Sequence, residues 1–157
     1  MMEKTMTNDA PVTILDRIAA STRMRVERKK AVLPFAEIIR QAQQLGGNTG
    51  FPFEKAIRKE GLSFICEIKK ASPSKGIIAH SFPYARLAKE YEEAGADAIS
   101  VLTEPEFFLG SDEHLAEISR MVSIPLLRKD FVVDNDDMSW QIPEQTDCEI
   151  VDLLMRE

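Results

Sequence analysis

Apolar positions in the N-terminal third of the chain recur at helical spacing. Ile14 and Ile18 lie on one side of a predicted helix over residues 13–30. A second helix is predicted over residues 34–45, with its proline in the first turn, where the missing N–H costs nothing. The glycine-rich run 46–50 then ends this helical region and is interpreted as a flexible linker.

From residue 62 onward the apolar residues cluster in short runs. Strands are predicted over 63–68, 97–102 and 124–127, and helices over 83–95 and from Ser111 onward. Alternation of strands and helices is the pattern of a parallel sheet with crossover helices. The sequence therefore predicts an α/β fold, either a (β/α) barrel or a doubly wound sheet.

Charged residues stand at the ends of two predicted strands. Glu67 and Lys69 are two positions apart and so face the same side of the first strand, and Lys129 follows the third strand. Two strands separated by one neighbour are roughly 10 Å apart, so lysines at both ends could bracket a small anion over the apolar second strand. The alternative is that these lysines face solvent and interact with nearby helix ends.

Composition and charge narrow the classes of function. The chain has 157 residues, enough for one domain, with a net charge of −6. Residues 132–157 contribute −7 of this charge (eight acids and one arginine), whereas residues 1–131 contribute +1 (19 bases and 18 acids). The basic half of the first helix has no interleaved aromatic residues, so it is interpreted as a solvated face and not as a nucleic-acid site.

Targeting and redox features point to the cytoplasm. No apolar run approaches the ~20 residues of a membrane span, and the polar segment 1–11 has no signal-peptide core, so we expect no membrane contact. Two cysteines, Cys66 and Cys148, make no disulfide framework. The first is interpreted as a small buried apolar residue.

Other kinds of site find little support. His80 and His114 are isolated, and no cysteine, histidine and carboxylate cluster has metal-ligand spacing, so no metal is expected. Ser72 and Ser74 lack the pattern of a nucleophilic serine. The adjacent aromatic residues Phe107 and Phe108 are compatible with either core packing or ligand contact.

Five segments together resemble the indole-3-glycerol phosphate synthase family. The first is the helix 14–30. The others are 66–76, with the block Lys-Lys-Ala-Ser-Pro-Ser-Lys-Gly, then 91–103, 107–111 and 127–131, with the block Arg-Lys-Asp-Phe. The resemblance covers residues 12–134. It implies a partial (β/α)8 TIM barrel, in which the first three β/α units follow N-terminal helices.

The resemblance also implies a reaction. The family closes a ring in 1-(2-carboxyphenylamino)-1-deoxyribulose 5-phosphate, an anionic phosphate substrate, with loss of carbon dioxide and water during tryptophan biosynthesis. No cofactor or metal is used. By resemblance, Lys129 matches the general acid, Lys69 the residue that holds the substrate carboxylate, and Glu67 the carboxylate that orients both ammonium groups. The positions that match substrate contacts are Ser72, Lys70, Leu102, Phe108 and Phe131.

Three segments are expected to differ in character. Residues 1–11 are predicted to be a loose tail, 12–134 the barrel-like part, and 135–157 a divergent acidic tail. The loop 73–78 is predicted to be a mobile lid over the substrate. A typical barrel needs ~250 residues, so the chain is interpreted as a truncated form or fragment.

Three functional alternatives follow from this interpretation. The chain is an enzyme of the family with part of its active site, or a truncated non-catalytic remnant, or a half-barrel. As a half-barrel, it would associate with itself or with a complementing C-terminal fragment.

Overall fold

The computed structural model describes residues 11–45 and 50–133. Nearly all of the predicted N-terminal tail, most of the predicted linker and the whole acidic tail lie outside these residues. The described helices are α1 (Ile14–Val32), α2 (Phe35–Leu45), α3 (Pro52–Ile57), α4 (Tyr84–Glu93) and α5 (Asp112–Ser119). The described strands are β1 (Ile65–Ile68), β2 (Ala71–Ser72), β3 (Gly76–Ile77), β4 (Ala98–Leu102) and β5 (Leu126–Lys129).

Helix α1 confirms the first predicted helix. Its N-terminus is closed by a capping box, in which the Thr13 hydroxyl accepts the Asp16 N–H at 3.2 Å and the Asp16 carboxylate accepts the Thr13 N–H at 2.7 Å. The buried residues Ile18, Thr22 and Val26 follow one another at four-residue spacing and form a single stripe. Among the described helices, none is long and apolar enough to cross a lipid bilayer.

The predicted parallel sheet is present in the order β1-β4-β5. The third predicted strand, 124–127, is wrong by two residues, since β5 spans Leu126–Lys129. Pro125 has no N–H to donate to the ladder, and only its carbonyl takes part, accepting the Ile99 N–H at 3.1 Å. Lys129 therefore lies within the strand, where it pairs with Leu102.

Local signals set the ends of the crossover helices. Helix α4 begins after Pro83 and is followed by Gly95, whose φ of 88° is the left-handed conformation that favours glycine after a helix. Helix α5 begins after Ser111, whose hydroxyl accepts the Glu113 N–H at 3.0 Å. Both boundaries agree with the sequence prediction to within two residues.

One face of the sheet carries the apolar core. Ile68 of β1 and Ile99 and Val101 of β4 are buried against Ala88 of α4 and Leu115 of α5. We call this the helix-covered face. Because side chains alternate along a strand, the neighbouring positions face the other way. We call that side the open face, and its side chains come from Ile65, Glu67, Ala98, Ser100, Leu102, Leu127 and Lys129.

A short hairpin occupies the segment predicted to be a loop. Ala71 pairs with Ile77 and Ser72 with Gly76 in an antiparallel arrangement. The Lys70 carbonyl accepts the N–H of Ile78 at 2.9 Å and so closes the base of the hairpin. The segment 73–78, predicted to be a loop, is therefore partly a strand, because backbone pairing reaches residues 76 and 77.

Candidate functional site

Three charged side chains meet at the carboxyl ends of β1 and β5. Lys129 donates from Nζ to Glu67 Oε2 at 2.5 Å, and Lys69 donates from Nζ to Glu67 Oε1. Each carboxylate oxygen thus accepts one ammonium group. We call these three residues the open-face triad.

The sheet register explains why the triad forms. Glu67 pairs with Ser100 of β4, and Lys129 pairs with Leu102, two positions further along the same strand. Lys69 follows β1 at the level that corresponds to Leu102. Both lysines therefore point to the same face of the sheet, one from each strand that flanks β4. The Glu67 carboxylate lies between them, from a position two residues nearer the amino-terminal ends of the strands.

The ammonium groups dominate the electrostatics of Glu67. Burial by itself would raise its pKa, but hydrogen bonds from Lys129 and then Lys69 outweigh burial, and the pKa is lowered. The carboxylate is therefore charged at neutral pH, and the triad carries a net charge of +1. The anion found between the two lysines is thus the Glu67 carboxylate itself, and one unit of positive charge remains for a ligand.

Apolar side chains lie at the same end of the sheet as the triad. Leu102 is buried in the middle of the sheet, beside Lys129. The rings of Phe108 and Phe131 lie with their centroids 6.0 Å apart at a tilt of 35°, a common geometry for aromatic pairs. The structure therefore brings together six of the eight residues singled out from the sequence around one end of the sheet, where the aromatic pair is completed by Phe131, which follows β5 by two positions.

Lys70 and Ser72 are placed differently. Neither donates a hydrogen bond to Glu67 within the described part of the chain. The Ser72 hydroxyl accepts the N–H of Lys75 at 3.3 Å inside the hairpin. Burial, followed by the positive charge of Lys70, lowers the pKa of His114 on α5.

A buried ionic group lies directly behind the triad, and the sequence interpretation missed it. The Asp130 carboxylate accepts two hydrogen bonds from Arg25 of α1, at 3.0 and 3.1 Å, and one from Arg128 at 2.9 Å. It also accepts the Thr103 hydroxyl at 3.2 Å. Side-chain exposure is only 1% for Asp130 and 2% for Arg128.

Charge pairing keeps this buried group ionised. Desolvation would raise the pKa of Asp130, but the hydrogen bond from Arg25 and the charge of Arg128 lower it instead. The prediction of a solvated basic face on the first helix is therefore wrong for Arg25, which joins α1 to the end of β5. The order Arg-Lys-Asp at residues 128–130 was a signal for the Arg128–Asp130 pair, because residues two positions apart on an extended strand face the same side, but it carries no signal for Arg25.

The described residues contain no group of three histidine, cysteine, aspartate or glutamate side chains that could hold a metal ion. The chemistry available at this end of the sheet is that of two ammonium groups, one carboxylate and an aromatic pair. Such a set can bind an anion, hold an aromatic ring and donate a proton.

Comparison with known proteins gives a consistent result. A family model described as indole-3-glycerol phosphate synthase matches residues 15–155, a range that extends past Asp134. A relative of the same name from Ruminiclostridium cellulolyticum is 59% identical over 121 residues, which are 77% of this chain and 46% of the relative.

Two further relatives carry the same name. The protein from Endomicrobium trichonymphae is 52% identical over 131 residues, or 83% of this chain and 49% of the relative. The protein from Thermoanaerobacter pseudethanolicus is 50% identical over 121 residues, or 77% and 45%. The chain spans about half the length of the curated relatives that it matches.

Proposed function

Because the chain belongs to the indole-3-glycerol phosphate synthase family, we propose that it carries part of the active site for that reaction. The substrate is 1-(2-carboxyphenylamino)-1-deoxyribulose 5-phosphate, and the reaction is ring closure with decarboxylation and dehydration. In this proposal, β1, β4 and β5 are the first three parallel strands of a (β/α)8 barrel, and the open face is turned toward the barrel interior.

The observation that carries the proposal is the convergence of Lys69 and Lys129 on Glu67. A general acid must point at the substrate oxygen that gains charge, and a proton donor held by a carboxylate has a fixed direction. Lys129 is assigned to protonate the ketone during ring closure. Lys69 is assigned to hold the substrate carboxylate, and Glu67 orients both ammonium groups.

The remaining charge of the triad favours an anionic guest. Two ammonium groups share one carboxylate, so a substrate carboxylate can take the place of part of the Glu67 contact without leaving a cation unpaired. The tilted rings of Phe108 and Phe131 are assigned to the aromatic ring of the substrate, and Leu102 to the apolar surface beneath it. Ser72 and Lys70, on the hairpin side, are assigned to contacts that form when the substrate is bound.

A second possibility is a half-barrel that requires a complementing polypeptide. It is favoured by the exposure of Ile65 and Leu127, apolar side chains of the open face that a complete barrel would enclose. The complementing polypeptide would supply the strands that follow β5 in the longer relatives. A non-catalytic remnant that binds anions is the outcome if neither form turns over.

The test is turnover of the purified chain, alone and mixed with the C-terminal half of the Ruminiclostridium cellulolyticum relative. Formation of indole-3-glycerol phosphate is followed by its fluorescence, with the full-length relative as the positive control. Activity of the chain alone supports the first form of the proposal, and activity only in the mixture supports the second. No turnover in either sample contradicts both.

Substitution of Lys129 tests its assigned role. Lys129→Ala is expected to lower turnover by about 10³-fold, the loss typical of a missing general acid. Lys129→Arg keeps the positive charge but cannot release its proton, and is expected to be nearly as inactive. Lys89→Ala removes an equal charge from α4 and is the control, expected to leave turnover within about twofold. Substantial activity in Lys129→Arg would mean that charge alone suffices.

A further inference from the structure

A second buried carboxylate, that of Glu104, lies just after β4 and outside the triad. Its residue is only 1% exposed. Its side chain accepts three backbone N–H groups, from Glu106 at 3.1 Å, Phe107 at 2.6 Å and Phe108 at 3.0 Å. Within the described residues it has no salt-bridge partner. The Glu104 carboxylate therefore binds the backbone of the loop that follows it.

The loop around this carboxylate is tightly closed. Gly110 donates its N–H to the Glu104 carbonyl oxygen at 2.8 Å, so the residue holds the loop through its main chain as well. A Cβ atom at Gly110 would lie 2.3 Å from the Leu102 carbonyl oxygen, so no larger residue fits there. Leu109 adopts a φ of 53°, which is uncommon for a residue other than glycine. Such a conformation persists only where surrounding contacts fix it.

This loop determines where Phe108 lies. The Glu104 side chain holds the Phe108 N–H, and the Phe108 carbonyl accepts the N–H of Ala71, two residues after Lys69. The backbone of Phe108 is thus fixed at both its N–H and its carbonyl. Its ring then lies 6.0 Å from that of Phe131.

We propose that Glu104 is a positioning residue, whose carboxylate holds Phe108 against Phe131 and so forms the aromatic wall of the substrate site. The assignment of that wall to the substrate ring rests on the proposed function. The positioning itself rests on the three N–H contacts alone. Unlike the triad, Glu104 does not touch the substrate, and it acts through the loop.

The variant Glu104→Gln tests this role with minimal change in shape. Its amide oxygen can replace Oε2, which serves Phe107 and Phe108, but its NH2 group then faces the N–H of Glu106. Two donors facing each other in a buried site destabilise the loop. Amide hydrogen exchange at residues 106–108 of the full chain is expected to accelerate about tenfold. The nuclear Overhauser contact between the rings of Phe108 and Phe131 is expected to weaken.

Substrate affinity provides the second readout. Calorimetric titration with 1-(2-carboxyphenylamino)-1-deoxyribulose 5-phosphate is expected to show about tenfold weaker binding for Glu104→Gln. Glu106→Gln is the matched control, since it removes one carboxylate from the same loop at an exposed position, and both readouts should stay within about twofold of the wild type. Phe108→Leu should weaken binding without accelerating exchange.

The outcomes separate the two proposals. If Phe108→Leu binds like the wild type, or if the wild type does not bind, the substrate assignment fails while the exchange and ring contacts still test positioning. The positioning role is overturned if Glu104→Gln leaves both the exchange rate and the ring contact unchanged. It is also overturned if Glu104→Gln accelerates exchange but binds the substrate as tightly as the wild type, while Phe108→Leu binds it more weakly. Should Glu104→Gln not fold, Glu104→Asp keeps a shorter carboxylate, and the same paired changes are expected.

Discussion

The helix-covered face and the open face of the sheet differ in what they bury. On the helix-covered face, Ile68, Ile99 and Val101 are enclosed by α4 and α5. On the open face, Ile65 and Leu127 remain 48% and 38% exposed. The outer strands β1 and β5 thus bury side chains on one side of the sheet and leave side chains accessible on the other, whereas the central strand β4 is buried on both sides.

The two ionic groups, one buried around Asp130 and the other the open-face triad, show the same contrast. Asp130 and Arg128 are almost completely buried, and α1 closes the group through Arg25. In the open-face triad, by contrast, 29% of the Glu67 side chain and 50% of the Lys129 side chain are exposed. The buried group has its hydrogen bonds satisfied within the protein, whereas the triad keeps a surface that a ligand can reach. Exposure, more than charge, therefore separates the buried ionic group from the open-face triad.

The largest expected effect lies in the core of the helix-covered face. Ile99→Ala should lower the free energy of unfolding by about 4 kcal/mol, because it removes a fully buried side chain and leaves a cavity. The matched variant Ile65→Ala on β1 should cost less than about 1 kcal/mol, since that side chain is half exposed. Urea denaturation measures both.

Equal losses from these two variants would contradict the difference between the faces. If Ile99→Ala does not fold, the pair Ile99→Val and Ile65→Val replaces it. The expected losses are then about 1 kcal/mol for the buried position and close to zero for the exposed one.

The next effect lies in the buried ionic group. Asp130→Asn should destabilise the chain by about 3 kcal/mol, because it leaves the charges of Arg25 and Arg128 without their shared carboxylate. Asp112→Asn is the control, since Asp112 also contacts Arg128, at 3.1 Å, but is 41% exposed. Its loss should stay below about 1 kcal/mol. A buried aspartate that proves no more costly to replace than the exposed one would contradict the distinction between the two ionic groups.

Local patterns were sufficient to predict much of the fold. The sheet and its crossover helices follow from apolar runs and from boundary residues such as Gly95 and Ser111, whose conformations are set by neighbours in sequence. The shared side of Glu67 and Lys69 follows from strand geometry alone. Their meeting with Lys129 follows from strand order, since one strand lies between β1 and β5.

Long-range partners were not predictable in the same way. Arg25 and Asp130 are 105 positions apart, and nothing in the local spacing of either residue indicates the other. In the sequence, Glu104 cannot be distinguished from other acidic residues of a polar loop, because its three hydrogen-bond partners are backbone N–H groups, which every sequence has. The end of β5 was misplaced because the extent of a strand depends on its pairing with the neighbouring strand, here β4. The apolar run 124–127 gives no information about that pairing.

The lowered pKa of Glu67 gives the triad a pH dependence. The folded-state pKa lies below the unfolded value of about 4.3, so the carboxylate contributes stability above that unfolded value. This contribution is lost as the pH falls through the folded-state pKa, where Glu67 becomes protonated and both ammonium groups lose their acceptor. At neutral pH no change is expected from this group.

Carbon-13 NMR titration of the Glu67 carboxyl group tests most directly whether the two lysines converge on it. In the wild type, the pKa of Glu67 is expected to lie below the usual value. Both Lys129→Met and Lys69→Met should raise it, because each removes one donor, and Lys89→Met on α4 should leave it unchanged. An ordinary pKa that does not respond to either substitution in the triad would contradict the account.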